Sequence, residues 1–600
     1  MTEPVQNASA APEADEPYRI GLLRQLQLML QALRASTVGR RLLVLVGAIV
    51  VVVVVTAYGQ IRLNRWNKPF YDSLSRRDFR DFMVQLGVFF VIVGGLLVLN
   101  VAQRWLTEML KLRLRESLVQ DLVGLWMMPR RAFWLARAGA MGVNPDQRMH
   151  EDARKLCELS ADLGVGLFQA SILFTTFAGI LWVLSSDFSF RIGGDDYPVP
   201  GFMLWAAILY ASLGSLLSYW VGRSLIGRNA ERYAREADLR SALVHVNEHL
   251  DGISLAAGEA DERRRVELVL VDVLHATRRL VAGLTNLTWI TAGFGWITLV
   301  APILVAAPLF FAGKISFGGL MMAASAFTQA QSSLRWFVDN FSVIADWRAT
   351  LLRVAGFRHA LVAGEELQDT RHRIELAEGE PGRFVIENLE IESRAGRDRL
   401  KETDVVVNAG ERVLVTAAPG TDRTLLFRAL AGLWPRGTGR IAVPPEHILY
   451  LPHGTPYLPR GTLREVLAYP MKPEGFGDEA CAHALSRGGL ERLTPLLDTV
   501  RRWNRELSPE EQRSLAFARV VLQAPRWVVV DEALAPLEVE ALDRVVDVLA
   551  HELAATAIIH IGRAGEGRDA LFTRVLHLIK VEDAPAPEAA LPPQDPATGP

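Results

Sequence analysis

Cysteine is nearly absent, with Cys157 and Cys481 the only two in 600 residues. They lie far apart and fit no metal-ligand spacing, so a disulfide framework is excluded and both read as buried, inert thiols. A charge excess is missing too. Lys and Arg number 65 against 67 Asp and Glu, a formal net charge of −2, so no global field points to nucleic acid. No secretory leader is expected. Residues 1–17 are polar, acidic and proline-containing, and the last stretch, EDAPAPEAALPPQDPATGP, has the same character. Both read as disordered tails, at 1–17 and 581–600.

Hydrophobic residues are plentiful, half of the chain, and they concentrate before about residue 345. Leu42–Tyr58 reads LLVLVGAIVVVVVVTAY, uncharged and preceded by Arg40 and Arg41. Such a run, with its flanks, spans a hydrocarbon core of roughly 30 Å as a helix. Further apolar segments follow at Met83–Ala102, Leu163–Leu184, Phe202–Val221 and Thr291–Ala312, with a shorter, more polar one from Phe317 to Gln331 and beyond. Six spans are therefore expected. Arginine crowds 103–160 and 222–280 and is almost missing from 185–201 and 313–316, which places both termini and the arginine-rich segments in the cytoplasm. The basic stretch 62–80 disagrees with that count. Segment 231–280 has helical spacing and few breakers, so the membrane helices are expected to continue into the cytoplasm. Gln329, Gln331, Ser332 and Ser333 mix with aromatics in the sixth span. In lipid such side chains face a cavity or a neighbouring helix, and they are the candidate substrate-cavity residues.

From about Leu376 the pattern changes to short β-rich runs with helices between several of them, an α/β unit with a largely parallel sheet. The expected organisation is a six-helix, all-α membrane domain at 18–345, a linker at 346–375 and the α/β domain at 376–580. RWVVVDE (526–532) is a buried strand that delivers Asp531 and Glu532 to its carboxyl edge, where open α/β sheets bind ligands. VLVTAAPGTDRTLLFRALAGLWP (413–435) has the frame of a phosphate-binding loop: β-run, small-residue turn, amphipathic helix. The pattern G-x-x-x-x-G-K-[ST] asks for glycine at 417 and 422 and lysine at 423. The chain has Ala417, Asp422 and Arg423; Thr424 fits.

The order of these features resembles an ABC transporter half-molecule, a six-span membrane domain of exporter type fused to a P-loop NTPase-type nucleotide-binding domain. More narrowly, NRWNKPFYDSL (64–74), NPDQRMHEDARKLCELS (144–160), GGLMMAASAFTQAQSSLRWFVDN (318–340), LPHGTPYLPRGTLREVLAYP (451–470) and LAFARVVLQAPRWVVVDEA (515–533) resemble SbmA/BacA-like ATP-binding permeases over about residues 40–580. The resemblance implies a bacterial-type inner-membrane protein acting as a homodimer, with a peptide or hydrophilic small molecule, such as cobalamin, as cargo. It also implies ATP and Mg²⁺ as ligands: Gly420, Thr421, Arg423 and Thr424 at the phosphates, Thr424 and Asp531 on the metal, and Glu532 as the catalytic carboxylate that polarises water.

Departures from the family pattern cluster on the nucleotide. Asp422 brings steric restriction and a negative charge toward the expected phosphates, and Arg423 is not a conservative replacement for lysine. The signature LSGGQ is replaced by Leu507-Ser508-Pro509-Glu510-Glu511, where Pro509 removes an N–H and Glu510 adds a like charge. His453 stands for the glutamine that links metal site to membrane domain, and Arg563 for the switch histidine. Residues 535–538 read Ala-Pro-Leu-Glu where the family tends to Ser-Ala-Leu-Asp, and no aromatic occurs from Ile386 through Val413 to stack on adenine. Three functions compete on these residues: a transporter with weak or absent ATP hydrolysis, driven by protons as some relatives without a nucleotide domain are thought to be; an ATP-driven transporter with atypical sites; and a non-transporting regulatory or assembly subunit.

Overall fold

In the computed structural model, residues 39–136, 144–186, 189–192, 195–363, 373–393, 396–532, 539–562 and 571–581 are described, the last turn of sequence logic at 535–538 and Arg563 lying outside them. The expected tails also lie outside, apart from Val581, which closes the last strand. The chain divides into two compact units, residues 1–364 and 365–600.

The first unit is helical. α1 (Gly39–Ser75), α2 (Phe79–Trp126), α3 (Ala153–Ser185), α4 (Phe202–Glu248), α5 (Glu259–Phe311), α6 (Phe317–Asp339) and α7 (Phe341–Ala363) follow in order, with a hairpin of β1 (Ser189–Ile192) and β2 (Asp195–Pro198) between α3 and α4. α5, at 53 residues, is about 80 Å long, well beyond a membrane crossing of ~30 Å. Three expectations change. The basic stretch 62–80 is mostly helix, because α1 runs on through Pro69 to Ser75. Residues 346–363 are the second part of α7, whose apolar face (Leu351, Val354, Phe357, Leu361) packs with Leu118, Leu122, Met149 and Leu156. Finally, among the described residues five helices, not six, are long and apolar enough to cross a membrane on their own composition. α6 is the exception because it is enclosed. It packs against α1, α3, α4 and α5, and its small residues Ala323, Ala326 and Ala330 sit with Phe177, Leu181, Met203 and Leu309. Its polar side chains therefore need not meet lipid.

The approach of α6 to α1 depends on Gly318. A Cβ there would stand 2.0 Å from the Lys68 carbonyl oxygen and 2.7 Å from Asp72 Oδ1, and Gly318 N donates to that same carboxylate at 2.8 Å. Gly318→Ala must push the helices apart, so we expect a loss of about 1–3 kcal/mol, typical of overpacking, visible as a lowered melting temperature of the purified protein.

The second unit is built on a ten-stranded sheet. β3 (Glu375–Glu378), β4 (Arg383–Ser393), β5 (Gly396–Leu400), β6 (Asp404–Asn408) and β8 (Gly437–Val443) form its mainly antiparallel flank. β7 (Arg412–Ala417), β9 (Ile448–Leu451), β12 (Trp527–Asp531) and β13 (Ala557–Gly562) are parallel neighbours in the order β7-β13-β12-β9, and β14 (Arg574–Val581) pairs parallel to β7 and antiparallel to β5. A separate short pair, β10 (Gly461–Thr462) and β11 (Val500–Arg501), lies outside this sheet. β12 and β13 are buried along their whole length, which explains their richness in valine and isoleucine. β7 and β12, with β13 between them, bring the loop after Ala417 and the carboxylates after Val530 to one sheet edge.

Candidate functional site

The loop after β7 makes a left-handed turn at Gly420 (φ 85°), a conformation glycine adopts without strain. It then enters α8 (Arg423–Leu430). Asp422 lies at φ −101°, ψ 95°, ordinary extended backbone, so the steric restriction expected there is not what its side chain imposes. The carboxylate acts as N-cap and accepts the Leu425 N–H at 3.1 Å. Asp422 N in turn donates to Asp398 Oδ2 at 2.9 Å, from a carboxylate buried on β5. Ala418 N donates to the Leu578 carbonyl at 2.9 Å and Thr421 N to the Ala418 carbonyl at 3.3 Å. Pro419 has no N–H. A phosphate loop works by aiming such donors at an anion, with help from the helix dipole. Here those of Ala418, Thr421, Asp422 and Leu425 are taken by oxygens of the chain, two of them carboxylates.

The side chains continue the theme. Arg423 makes a close ion pair with Glu532, and His453 Nδ1 lies 3.7 Å from the other carboxylate oxygen of Glu532. The position that should carry phosphate charge is neutralised by the residue that should polarise water. Glu532 also sits in the left-handed region (φ 45°), a conformation that costs about 1–3 kcal/mol and recurs at functional sites. Asp531 is buried. Burial pushes its carboxyl above the ordinary range, partly opposed by His453, a hydrogen bond from Thr424, and Arg423. Thr424 and Asp531 form a hydroxyl–carboxylate pair of all-oxygen chemistry that suits Mg²⁺. Four N–H groups of the loop and its cation, Arg423, are thus engaged within the chain.

Of the expected site residues, the fold gathers Gly420, Thr421, Asp422, Arg423, Thr424, His453, Asp531 and Glu532. Ala417 ends β7. Two participants escaped the sequence: Asp398, from a strand with no motif, and Lys580, whose Nζ donates to the Gly420 carbonyl at 3.3 Å. Both come from strands distant in sequence that the sheet sets beside β7, β14 directly and β5 next to β14, so no local pattern marks them.

Pro509 and Glu510 open α11 (Pro509–Gln523; α9 and α10 are Leu463–Ala468 and Asp478–Arg487). Ser508 and Glu511 close a reciprocal capping box: Glu511 N donates to Ser508 Oγ at 3.2 Å, and Ser508 N donates to Glu511 Oε2 at 2.9 Å. This helix start, too, is filled by its own carboxylate. Burial alone would raise the Glu511 carboxyl, but the Ser508 N–H and Arg492 hold it below the ordinary glutamate range. Its contribution is therefore present above that range and lost as pH falls through the lowered value. Glu511→Ala is expected to cost about 1 kcal/mol at neutral pH, a penalty that shrinks on acidification. Melting temperatures of both proteins at several pH values check it.

In the first unit, Gln329 Nε2 donates to Gln60 Oε1 at 2.6 Å. Ser332 and Ser333 donate back to the Gln329 carbonyl at 3.1 and 2.8 Å. Gln331 is buried on another face of α6, while Ser332 is exposed.

Loop, paired carboxylates and capped helix in the second unit, in one chain with a first unit of long apolar helices, define a membrane protein of ABC exporter architecture. Comparison supports this. Residues 30–311 match the family model of ABC transporter transmembrane region 2. A bacterial Atm1-family ABC exporter with ATP bound superimposes with a TM-score of 0.67 at 14% identity, covering 90% of this chain and 95% of that one. Residues 30–311 thus match an ABC transporter transmembrane region, and the chain as a whole is similar to ABC transporter half-molecules, in which such a region is fused to an ATP-binding domain. It is similar to the inner membrane ABC transporter ATP-binding protein YddA of Escherichia coli, 26% identical over 84% of this chain and 88% of the relative. It is also similar to the chloroplastic ABC transporter D family member 2 of Arabidopsis thaliana (26%; 80% and 75%) and to the human lysosomal cobalamin transporter ABCD4 (24%; 78% and 81%).

Proposed function

We propose that the protein is a homodimeric inner-membrane transporter with cytoplasmic termini, moving a peptide or hydrophilic small molecule, in which ATP turnover is weak or absent and the proton gradient supplies the drive. The observation that carries this reading is the self-occupied phosphate loop, where Arg423 is bound to Glu532 and the Asp422 and Leu425 N–H groups are bound to carboxylates. In the composite sites of this class each nucleotide meets one protomer's loop and the other's signature helix, so in a homodimer both sites would carry both alterations. A hydrophilic cargo is supported by the relative named for cobalamin, and an inner-membrane setting by the relative named for it. The long motifs at 64–74, 144–160 and 451–470 support the narrower SbmA/BacA-like assignment. Of the candidate cavity residues, Ser332 is the one whose exposure leaves it available to cargo.

A second reading, an ATP-driven transporter with unusual sites, has its own support in the retained Thr424–Asp531 pair and Glu532. ATP hydrolysis by the full chain in lipid nanodiscs, beside Glu532→Gln, separates the two. We expect the two proteins to be indistinguishable; turnover well above the variant's would sink the self-occupied reading.

A further inference from the structure

The antiparallel hairpin of α1 and α2 sets Arg40 and Arg41, at the start of α1, beside Arg113 on α2. These three cations line an open groove of about 550 Å³, a size that suits a small molecule, since ligand pockets run roughly 300–1,000 Å³. The rest of its wall is apolar: Val44 and Leu45 from α1, Trp105 and Met109 from α2. Polarity changes along the helices. Trp105 is eight residues from Arg113, about 12 Å at 1.5 Å per residue, in the same direction as α1 passes from Arg41 into its valine run. The groove therefore begins in charge at the edge of the membrane span and continues as apolar surface at hydrocarbon depth. Leu42, Ile49 and Leu110 face the other way and pack with Ala161. Val44 is 68% exposed and Trp105 60%, so the groove opens on the outside of the hairpin.

Its charge is not balanced by the chain. Arg113 meets Glu116 at 2.6 Å. Arg40 and Arg41 are exposed and have no ion-pair partner among the described residues. Glu108, beside Met109, is already held by Arg104 at 2.9 Å and Lys111 at 3.1 Å. Three guanidinium groups thus stand against one carboxylate, and guanidinium geometry matches the oxygens of a phosphate. A free phosphate would use the cations and leave the apolar wall wet. A phospholipid uses both, and basic pockets between membrane helices hold anionic headgroups in this way. Trp105 adds the amphipathic ring typical of the membrane–water interface.

We propose that this groove binds one anionic phospholipid of the leaflet that holds the start of α1. The phosphate sits among Arg40, Arg41 and Arg113. The ester region lies at the level of Val44, Leu45 and Met109, and the first acyl carbons run along Trp105. The lipid touches both arms, so it ties α1 to α2 at the end away from their turn at 76–78, and the occupied protein is the more stable one. The site does not depend on how cargo is driven.

The test titrates phosphatidylglycerol or phosphatidylcholine into the full chain purified in detergent. Native mass spectrometry counts bound lipid, and the melting temperature reports stability. Phosphatidylglycerol should bind at least ten-fold more tightly than phosphatidylcholine and raise the melting temperature. Arg40→Gln, Arg41→Gln and Arg113→Gln together should abolish that preference. Val44→Trp, which keeps every charge and fills the apolar floor, should weaken phosphatidylglycerol at least three-fold, and it carries the test if the triple variant fails to fold. Arg104→Gln and Arg223→Gln, which remove exposed cations outside the groove, should bind as the wild type does. Equal melting temperatures in phosphatidylcholine show that the variants are folded. A wild type without preference, a triple variant that keeps it, or equal losses in the two control variants overturns the site. An unchanged Val44→Trp shows a purely ionic contact and overturns the groove as the seat of a lipid. Displacement of phosphatidylglycerol by millimolar inorganic phosphate shows a free-anion site and overturns it too.

Discussion

Asp422→Gly combined with Arg423→Lys should tighten Mg-ATP binding by about a hundred-fold, close to 3 kcal/mol. The double change removes a carboxylate from the place where phosphate would bind. Two like unit charges 4 Å apart at an effective dielectric near 20 repel by about 4 kcal/mol, so this alone is of the right size. It also frees the Leu425 N–H and replaces the planar fork that grips Glu532 with a compact ammonium. The opposing cost is small, since glycine is a tolerable N-cap in place of aspartate, worth a few tenths of a kcal/mol. Asp398 still holds the backbone N–H of residue 422, which keeps the gain below the full electrostatic figure. Equilibrium binding of a fluorescent ATP analogue checks it, with Asp422→Gly alone expected in between. Turnover should rise far less than affinity, because Pro509 and Glu510 remain at the signature helix. An unchanged dissociation constant in the double variant would show that the chain's own carboxylates are not what limits the loop.

Much of this site was legible in the sequence because its chemistry is local. Four apolar residues before Asp531–Glu532 specify a buried strand and its edge, and the small-residue turn before Thr424 specifies the loop. What the sequence hid was the direction of side chains. Asp422 reads as a steric fault, yet its backbone is relaxed and its carboxylate is a helix cap. Arg423 reads as a surviving positive charge, yet that charge is spent on Glu532. Asp398 could not be foreseen, because it arrives through strand pairing across the sheet. The helices show the same divide. Valine-rich α1 announces itself, but its continuation past residue 62 depends on tertiary support for a polar segment with an internal proline. α6, legible as a shorter and more polar apolar segment, falls short of a membrane crossing on its own composition, and what encloses it is the set of helices around it.

Asp152→Ala should be the most destabilising single change in the helical unit, at about 3 kcal/mol. The motif NPDQRMHEDARKLCELS reads as a charged, solvated surface, and in part it is: Glu158 pairs with Arg154 at 3.0 Å and Asp162 with Lys111 at 2.8 Å, all partly open to water. Asp152 differs. It ends a π-helical turn, Arg148–Asp152, that runs into α3, and its side chain is only 5% exposed. Arg148 Nη1 reaches it at 2.7 Å, and Arg353 grips both oxygens, Nη2–Oδ1 at 2.8 Å and Nε–Oδ2 at 3.1 Å. Arg353 belongs to α7, so this carboxylate ties the start of α3 to the last helix of the unit, with Arg358–Asp121 at 2.7 Å making a similar tie to α2. Removing the carboxylate leaves two guanidinium groups facing each other over the apolar contacts of Met149, Leu351 and Val354. Breaking a buried pair from one side costs about 3–5 kcal/mol, and the low end applies because Arg353 can recover some water. Thermal unfolding followed by tryptophan fluorescence should show the loss, with Asp152→Asn intermediate. Asp152→Leu together with Arg353→Leu should be milder than Asp152→Leu alone, since it leaves one fewer charge uncompensated. If the double variant were worse than the single, the damage would lie in lost packing around the π-turn rather than in stranded charge, and the tie between α3 and α7 would have to be reassigned to the hydrophobic cluster beneath it.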